Sequence, residues 1–159
     1  DQIRTNAAGG FPYTPPVGLI AGLAASIEML EDEGLDAVYA RHHRLAEGVR
    51  RAVAAWGMKP WAASADLYSD TITAVLVPDG CNGTDLVQLA ATKYGVAFGV
   101  GLGEVAGKVF RIGHLGMLTD VMVLGGLATA EMCMADLGWP VTLGSGVAAA
   151  QDYYRGTAV

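Results

Sequence analysis

A single arginine inside an apolar segment is the residue of this sequence best suited to chemistry. Arg111 lies at the centre of Val109–Gly113, a segment with no other charge. An unpaired guanidinium is costly to bury, and its planar fork fits a carboxylate through two hydrogen bonds. The pattern alone fits two partners equally well, either the carboxylate of a ligand or a fixed Asp or Glu of the same protein.

A glycine-rich stretch, Gly99–Gly103, precedes the segment that holds the arginine. A dinucleotide-binding fingerprint must follow a strand and begin a helix, whereas these glycines come before a strand. Glycines in such a place indicate a close approach of the backbone to a ligand or a neighbouring chain. Gly101 is therefore a candidate pocket neighbour.

The three histidines predict no metal site. His42 and His43 are adjacent on a predicted helix, so they point to different faces and cannot hold one ion together. His42 falls on the apolar stripe and is expected to be a hydrogen-bonded core residue. His114 follows Arg111 closely in the chain and is a candidate pocket neighbour.

The composition excludes several classes of function. The apolar share is 52%, the charged share is 16% and the net charge is −6, which argues against a nucleic-acid binder because such proteins need a basic face. The two cysteines, Cys81 and Cys133, lack a CxxC spacing, so we expect no disulfide framework and a reducing compartment. No segment predicts a secretory signal or a membrane span, and we expect a cytoplasmic protein without a membrane partner.

Hydrophobic spacing predicts two long helices followed by an α/β unit. The first helix begins after Pro15 and Pro16 and ends at Gly34, with Leu19 and Leu23 on its apolar stripe. Its uncharged first half predicts that most of its circumference faces protein. The second helix spans residues 36–56.

The remainder predicts a strand, a helix, two strands and a last helix. This order is typical of an α/β domain with helices on one side of a small sheet. Thr84 is the predicted cap of the middle helix, and residues 1–13 and the tail from Trp139 are expected to be irregular. The predicted elements are strands at 71–77, 96–100 and 108–112, and helices at 84–94 and 119–137.

Several segments resemble class V, fold-type-I aminotransferases that depend on pyridoxal phosphate, in the branch of the serine–glyoxylate and alanine–glyoxylate enzymes. Phe11–Pro15 resembles the start of their helix toward the small domain, and Ser69–Val75 resembles the first strand of that domain. Leu143–Ala149 resembles the tail of the serine–glyoxylate branch. The most specific segment is Gly101-Leu-Gly-Glu-Val-Ala-Gly-Lys-Val-Phe-Arg-Ile-Gly-His-Leu-Gly116.

The resemblance covers essentially the whole chain and implies the carboxyl-terminal portion of such an enzyme. Residues 1–34 would form the end of the large domain and the start of the connecting helix. Residues 35–159 would form the connecting helix and the small α/β domain. The parent enzyme would move an amino group from serine or alanine to glyoxylate, giving glycine, with small amino acids and oxo acids as substrates.

The resemblance also implies roles for individual residues. The arginine at the position of Arg111 grips the substrate α-carboxylate in that family, which favours a ligand as its partner. The threonine matching Thr14 reaches the cofactor phosphate of the neighbouring subunit, which implies a homodimer or a higher oligomer. Phe11 stands where some members have a phosphate-binding tyrosine, and Tyr13 is a candidate neighbour of this site.

The chain departs from the family in lacking a lysine for the Schiff base with pyridoxal phosphate. Lys59, Lys93 and Lys108 stand in no matching context. The chain alone is therefore expected to be inactive, and the cofactor is expected to be bound covalently by an upstream portion of the same enzyme.

Two other interpretations remain open. Cysteine desulfurases share the fold and need a cysteine on a mobile loop, for which Cys81 is the only candidate, but no cation adjoins Cys81 to lower its pKa. A non-catalytic domain that binds a carboxylate or serves assembly would explain the missing lysine. The ending Gly156–Val159 lacks a peroxisomal signal, which leaves the cytoplasm as the expected compartment.

Overall fold

The computed structural model of the chain describes residues 1–157. Ala158 and Val159, on which the expected absence of a peroxisomal signal depends, lie outside the described residues. The chain divides into two compact units, Asp1–Val38 and Tyr39–Val159. The assignment of residues 1–34 to a large domain stays a prediction.

The first unit contains two helices, α1 (Gln2–Ala7) and α2 (Val17–Glu33). The prediction of an irregular start is wrong for α1, a turn that the Thr5 side chain stabilises by donating a hydrogen bond to the Asp1 carbonyl. The bounds of α2 confirm the prediction, since Gly34 ends the helix with a φ of 84°. Within the described residues α2 has no buried side chain. The protein surface that was expected to cover this helix is therefore not found in residues 1–157.

Four helices follow: α3 (Leu35–Ala55), α4 (Gly83–Tyr94), α5 (Asp120–Asp136) and α6 (Ser145–Gly156). The bounds of α3, α4 and α5 confirm the predicted helices to within about two residues. The expectation of an irregular tail is wrong for α6. Small residues dominate the first half of α6 and leave no apolar period to detect.

The cap predicted for α4 is also wrong. The Asn82 side chain, not Thr84, caps this helix, and its Oδ1 accepts from the Thr84 N–H at 2.9 Å. Asparagine is as good an N-cap as threonine, and its carbonyl reaches the N–H two residues on. Thr119, where the last helix was predicted to begin, is the N-cap of α5, and its Oγ1 accepts from the Met122 N–H at 3.3 Å.

The four strands form one antiparallel sheet in the order β1-β2-β4-β3. The strands predicted at 71–77 and 108–112 are confirmed, whereas the one predicted at 96–100 is only two residues long. The strand at the other edge, β1, is also two residues long and is not predicted, because two residues carry no periodic signal. The bounds are β1 (Lys59–Pro60), β2 (Ile72–Leu76), β3 (Gly99–Val100) and β4 (Val109–Gly113).

The core of the second unit lies between one face of the sheet and helices α3 to α6. Val75 of β2 and Phe110 and Ile112 of β4 point into it, and alternation along the strands turns their neighbours to the other face. This arrangement confirms an α/β fold with helices on one side of a small sheet. Their largest partners from the helices are Leu45, Val49, Trp56, Leu86, Leu127, Met134 and Tyr154.

A buried carboxylate connects α5 to the start of α6. Glu131 is 2% exposed and accepts four hydrogen bonds. One comes from the indole N–H of Trp56 at 2.8 Å, and three come from backbone N–H groups at the beginning of α6. These three are Gly144 at 2.5 Å, Gly146 at 2.7 Å and Val147 at 3.3 Å. Glu131 thereby satisfies donors that an open helix end would leave unpaired.

An arginine holds the other end of α6. Arg44 of α3 donates to the carbonyls of Tyr154, at 2.9 Å, and of Thr157. The same guanidinium pairs with the Asp120 carboxylate through two hydrogen bonds, one of them 2.7 Å long, and lies over the Tyr154 ring. Its pKa is raised above the ordinary value, chiefly by the hydrogen bond to Asp120. Bidentate geometry makes this pair stronger than a single contact.

Candidate functional site

Arg111 lies on the face of the sheet that points away from the helical core. It is the central residue of β4, paired with Ala74 of β2 on one side and Gly99 of β3 on the other. The side chain is half-buried, and its Nε donates to the Val100 carbonyl at 2.9 Å. Because Phe110 and Ile112 point into the core, Arg111 projects from the opposite face.

The two terminal nitrogens of Arg111 make no hydrogen bond or ion pair with any other residue of the described chain. The alternative of a fixed Asp or Glu partner is therefore not found within residues 1–157. A half-buried guanidinium whose two terminal NH2 groups are unused can bind a carboxylate in bidentate geometry.

The glycines before β4 make close approaches inside the chain. A methyl group added at Gly101 would stand 2.1 Å from the Val105 carbonyl oxygen, and one added at Gly99 would stand 3.0 Å from Nε of Arg111. Gly101 is buried, and its role as a pocket neighbour stays a prediction. Gly99 and the Val100 carbonyl were missed as supports of Arg111, although the glycine signal was visible in the sequence.

His114 is fully buried and both of its ring nitrogens have partners in the chain. Nδ1 lies 3.0 Å from the Asp70 carbonyl and Nε2 lies 2.9 Å from the Thr73 hydroxyl. A carbonyl can only accept, so Nδ1 carries the hydrogen and Nε2 accepts from Thr73. The ring joins the chain after β4 to the start of β2, and its role as a pocket neighbour of Arg111 stays a prediction.

We expect His114 to make stability depend on pH. Burial lowers the pKa of His114 from 6.5 to about 4. Between pH 6.5 and pH 4, His114 is therefore protonated in the unfolded chain and neutral in the folded chain. The contribution of His114 to the free energy of unfolding is therefore fully present above pH 6.5. It falls toward pH 4 by about 1.4 kcal/mol per pH unit. Thermal unfolding of the purified protein between pH 7.5 and 4.5 measures this slope. A His114→Gln variant should show a shallower slope, and equal slopes would contradict the prediction.

His42 confirms the expectation of a hydrogen-bonded core histidine. It is 6% exposed, and its Nε2 accepts from the Gly116 N–H at 3.0 Å. Arg41 donates to the Gly116 carbonyl at 2.6 Å. Two neighbouring residues of α3 thereby hold the turn that follows the strand of Arg111.

The residues predicted for the cofactor phosphate lie in the first unit, between α1 and α2. Thr14 is exposed, and its hydroxyl makes no hydrogen bond within residues 1–157. Tyr13 is 85% exposed and Phe11 is 52% exposed. These side chains are accessible in this chain. The roles of Thr14 and Tyr13 stay predictions, and no role was predicted for Phe11.

The remaining candidates carry little chemistry. Cys81 is a free, half-buried thiol, and burial raises its pKa, which makes it a poorer nucleophile. Among residues 1–157 no cluster of three or more His, Cys, Asp or Glu is arranged to hold a metal ion. Nor does that part of the chain contain a helix long and apolar enough to cross a membrane.

Comparison with known proteins decides the family. No protein-family model matches the sequence. The L-aspartate–glyoxylate aminotransferase of Paracoccus denitrificans is 62% identical over 99% of this chain, and the serine–glyoxylate aminotransferase of Hyphomicrobium methylovorum is 53% identical over 97% of it. The chain is homologous to the carboxyl-terminal part of these glyoxylate aminotransferases. It spans 40% and 38%, respectively, of the length of these two relatives.

Solved structures agree with this aminotransferase family. The pyridoxamine–pyruvate aminotransferase of Mesorhizobium loti superposes with a TM-score of 0.85 and 38% identity, over 92% of this chain and 38% of its own. The alanine–glyoxylate aminotransferase of Nostoc superposes with a TM-score of 0.71 and 26% identity, over 78% of this chain and 33% of its own. The resemblance read from the sequence is thus confirmed, and pyridoxal 5′-phosphate is the expected cofactor of the aminotransferase.

Proposed function

We propose that this chain is part of an aminotransferase that moves an amino group from a small amino acid to glyoxylate and so produces glycine. The observation that carries the proposal is Arg111, whose two unused terminal NH2 groups fit the α-carboxylate common to glyoxylate and every amino acid donor. Relatives named for glyoxylate, at 62% and 53% identity, support the acceptor. Serine and alanine are the expected donors, and the name of the first relative adds aspartate.

Arg111 acts by binding and orienting the substrate. Two parallel hydrogen bonds from a rigid guanidinium fix the plane of the carboxylate and, with the amino group also held, restrict the direction of the Cα–H bond. Orientation of this kind contributes to rate by holding the substrate in a reactive geometry. The Nε contact with Val100 leaves the outer edge of the guanidinium for the ligand.

Pyridoxal phosphate fits the residues that this chain offers to it. The exposed Thr14 hydroxyl is suited to donate to a phosphate oxygen, and the family resemblance assigns that phosphate to the neighbouring subunit of a homodimer. The cofactor supplies an electron sink for the bond that breaks at Cα. The lysine of the Schiff base is expected in an upstream portion of the same enzyme. We propose a class V, fold-type-I enzyme of the cytoplasm, which agrees with two free cysteines.

The complete enzyme tests the proposal. Serine, alanine or aspartate should discharge the visible absorbance of the bound cofactor, and glyoxylate should restore it with formation of glycine. Cys81→Ser should keep kcat within about twofold, because it exchanges one atom of a half-buried side chain that has no part in the proposed transfer. Sulfur release from cysteine that disappears in Cys81→Ser would instead indicate a desulfurase. An absorbance unchanged by every amino acid would contradict an aminotransferase.

A further inference from the structure

Gly99 makes room for the Arg111 side chain. The two residues are direct neighbours in the antiparallel ladder of β3 and β4. A methyl group built on Gly99 would stand 3.0 Å from Nε, 3.1 Å from Cβ and 3.3 Å from Cζ of Arg111. The arginine side chain therefore lies flat across the glycine, close enough that alanine would push it away by a few tenths of an ångström.

The backbone conformation gives no other reason for glycine here. Ten glycines of the chain have a positive φ, and Gly99 is not one of them, so its conformation is open to any residue. Glycine weakens a strand, because it loses more freedom on folding and packs nothing against its neighbours. The space above Gly99 is thus the feature that a larger residue would remove.

The contact also sets the direction of the guanidinium. Nε donates at 2.9 Å to the carbonyl of Val100, the residue after Gly99 in β3. Gly99 leaves space for the Arg111 side chain to lie close to the sheet. We propose that Gly99 is a positioning residue, which together with the Val100 carbonyl aims the two terminal nitrogens of Arg111 at the substrate carboxylate. This inference rests on the proposed function, because it explains the orientation of the same arginine side chain.

The test compares a substrate that has a carboxylate with one that lacks it. Serine and ethanolamine differ by that group, and the discharge of the cofactor absorbance reports both reactions in the complete enzyme. Gly99→Ala should lower kcat/KM for serine by about 3- to 10-fold, mainly through KM, since displacements of one ångström cost up to about 100-fold. The slower reaction of ethanolamine should be unchanged. An equal loss for both compounds would overturn the proposal.

Two further variants separate positioning from damage to the sheet. Gly113→Ala is a matched control, because Gly113 ends β4 on the same face and a methyl group there meets nothing within 4 Å; it should leave the ratio of serine to ethanolamine unchanged. In an Arg111→Ala background the contacts with Nε and Cζ are gone. Gly99→Ala should then leave that ratio unchanged, and a persisting effect of Gly99→Ala on the ratio would overturn the proposal.

The failure of this inference differs from the failure of the proposed function. If Arg111→Ala lowers the rates of serine and ethanolamine equally, Arg111 does not bind the carboxylate, and the proposed function loses its support. If Arg111→Ala is selective for serine but Gly99→Ala is not, Arg111 binds the carboxylate and only the role of Gly99 is wrong.

Discussion

Replacing Arg111 with alanine in the complete enzyme should lower kcat/KM for serine or glyoxylate by about 100- to 10,000-fold. Hydrogen bonds to a charged group contribute roughly 1.5 to 3 kcal/mol each, and the proposed bidentate grip contains two of them. Arg111→Lys keeps the charge but loses the planar fork, so it should recover only part of the loss. Steady-state kinetics with each substrate varied in turn measures both effects.

The control for this prediction is an arginine in another environment. Arg155 is exposed near the end of α6, and Arg155→Gln should leave kcat/KM within about twofold. The unfolding temperature of Arg111→Ala should stay near that of the parent, because the one side-chain hydrogen bond of Arg111 within residues 1–157 goes to the Val100 carbonyl. Equal kinetics for Arg111→Ala and Arg155→Gln would rule out carboxylate binding by Arg111.

Removal of the buried carboxylate at Glu131 should cause the largest loss of stability. Glu131→Ala leaves the Trp56 indole N–H and the first backbone N–H groups of α6 without their acceptor. Unsatisfied buried donors cost about 1 to 3 kcal/mol each, and the expected total is roughly 3 to 5 kcal/mol. Glu131→Gln should cost less, because one oxygen remains, although its amide N–H₂ would then face a donor. Thermal unfolding of the complete enzyme followed by circular dichroism measures the loss.

A carboxylate on the surface of α6 provides the comparison for Glu131. Asp152 is exposed, and Asp152→Ala should change the free energy of unfolding by no more than about 0.5 kcal/mol. A similar unfolding temperature for Glu131→Ala and Asp152→Ala would mean that the hydrogen bonds of Glu131 contribute nothing net.

The elements that could be predicted from the sequence are those with a long periodic signal. The apolar stripes of α3 and α5 and the β-branched run of β2 gave correct elements, because period and propensity agree in them. The missed helix α6 lacks such a stripe, and what stabilises its start is a distant side chain, Glu131 of α5. No local pattern can show that a carboxylate many residues away will cap a helix.

The candidate site was predictable in type but not in geometry. A lone arginine in an apolar strand indicated a carboxylate site, yet the choice between a ligand and an internal partner depended on which charges fold near Arg111. The glycines before β4 were expected to lie close to a ligand or a neighbouring chain, whereas the close approaches found within residues 1–157 are to the chain itself. The Arg111 side chain lies over Gly99. This contact could not be predicted without the register of β3 against β4.

The anchors at the two ends of α6 determine how this helix takes part in folding. Segments near a chain end often open locally at little free-energy cost. Here the first turn is bonded to Glu131 of α5 and the last turn to Arg44 of α3, while Tyr154 fills the space over Gly48 and donates to the Leu45 carbonyl at 2.9 Å. Detaching α6 would break the contacts that also join α3 to α5. The helix therefore belongs to the same cooperative folding unit as the core, and it opens only when that unit opens.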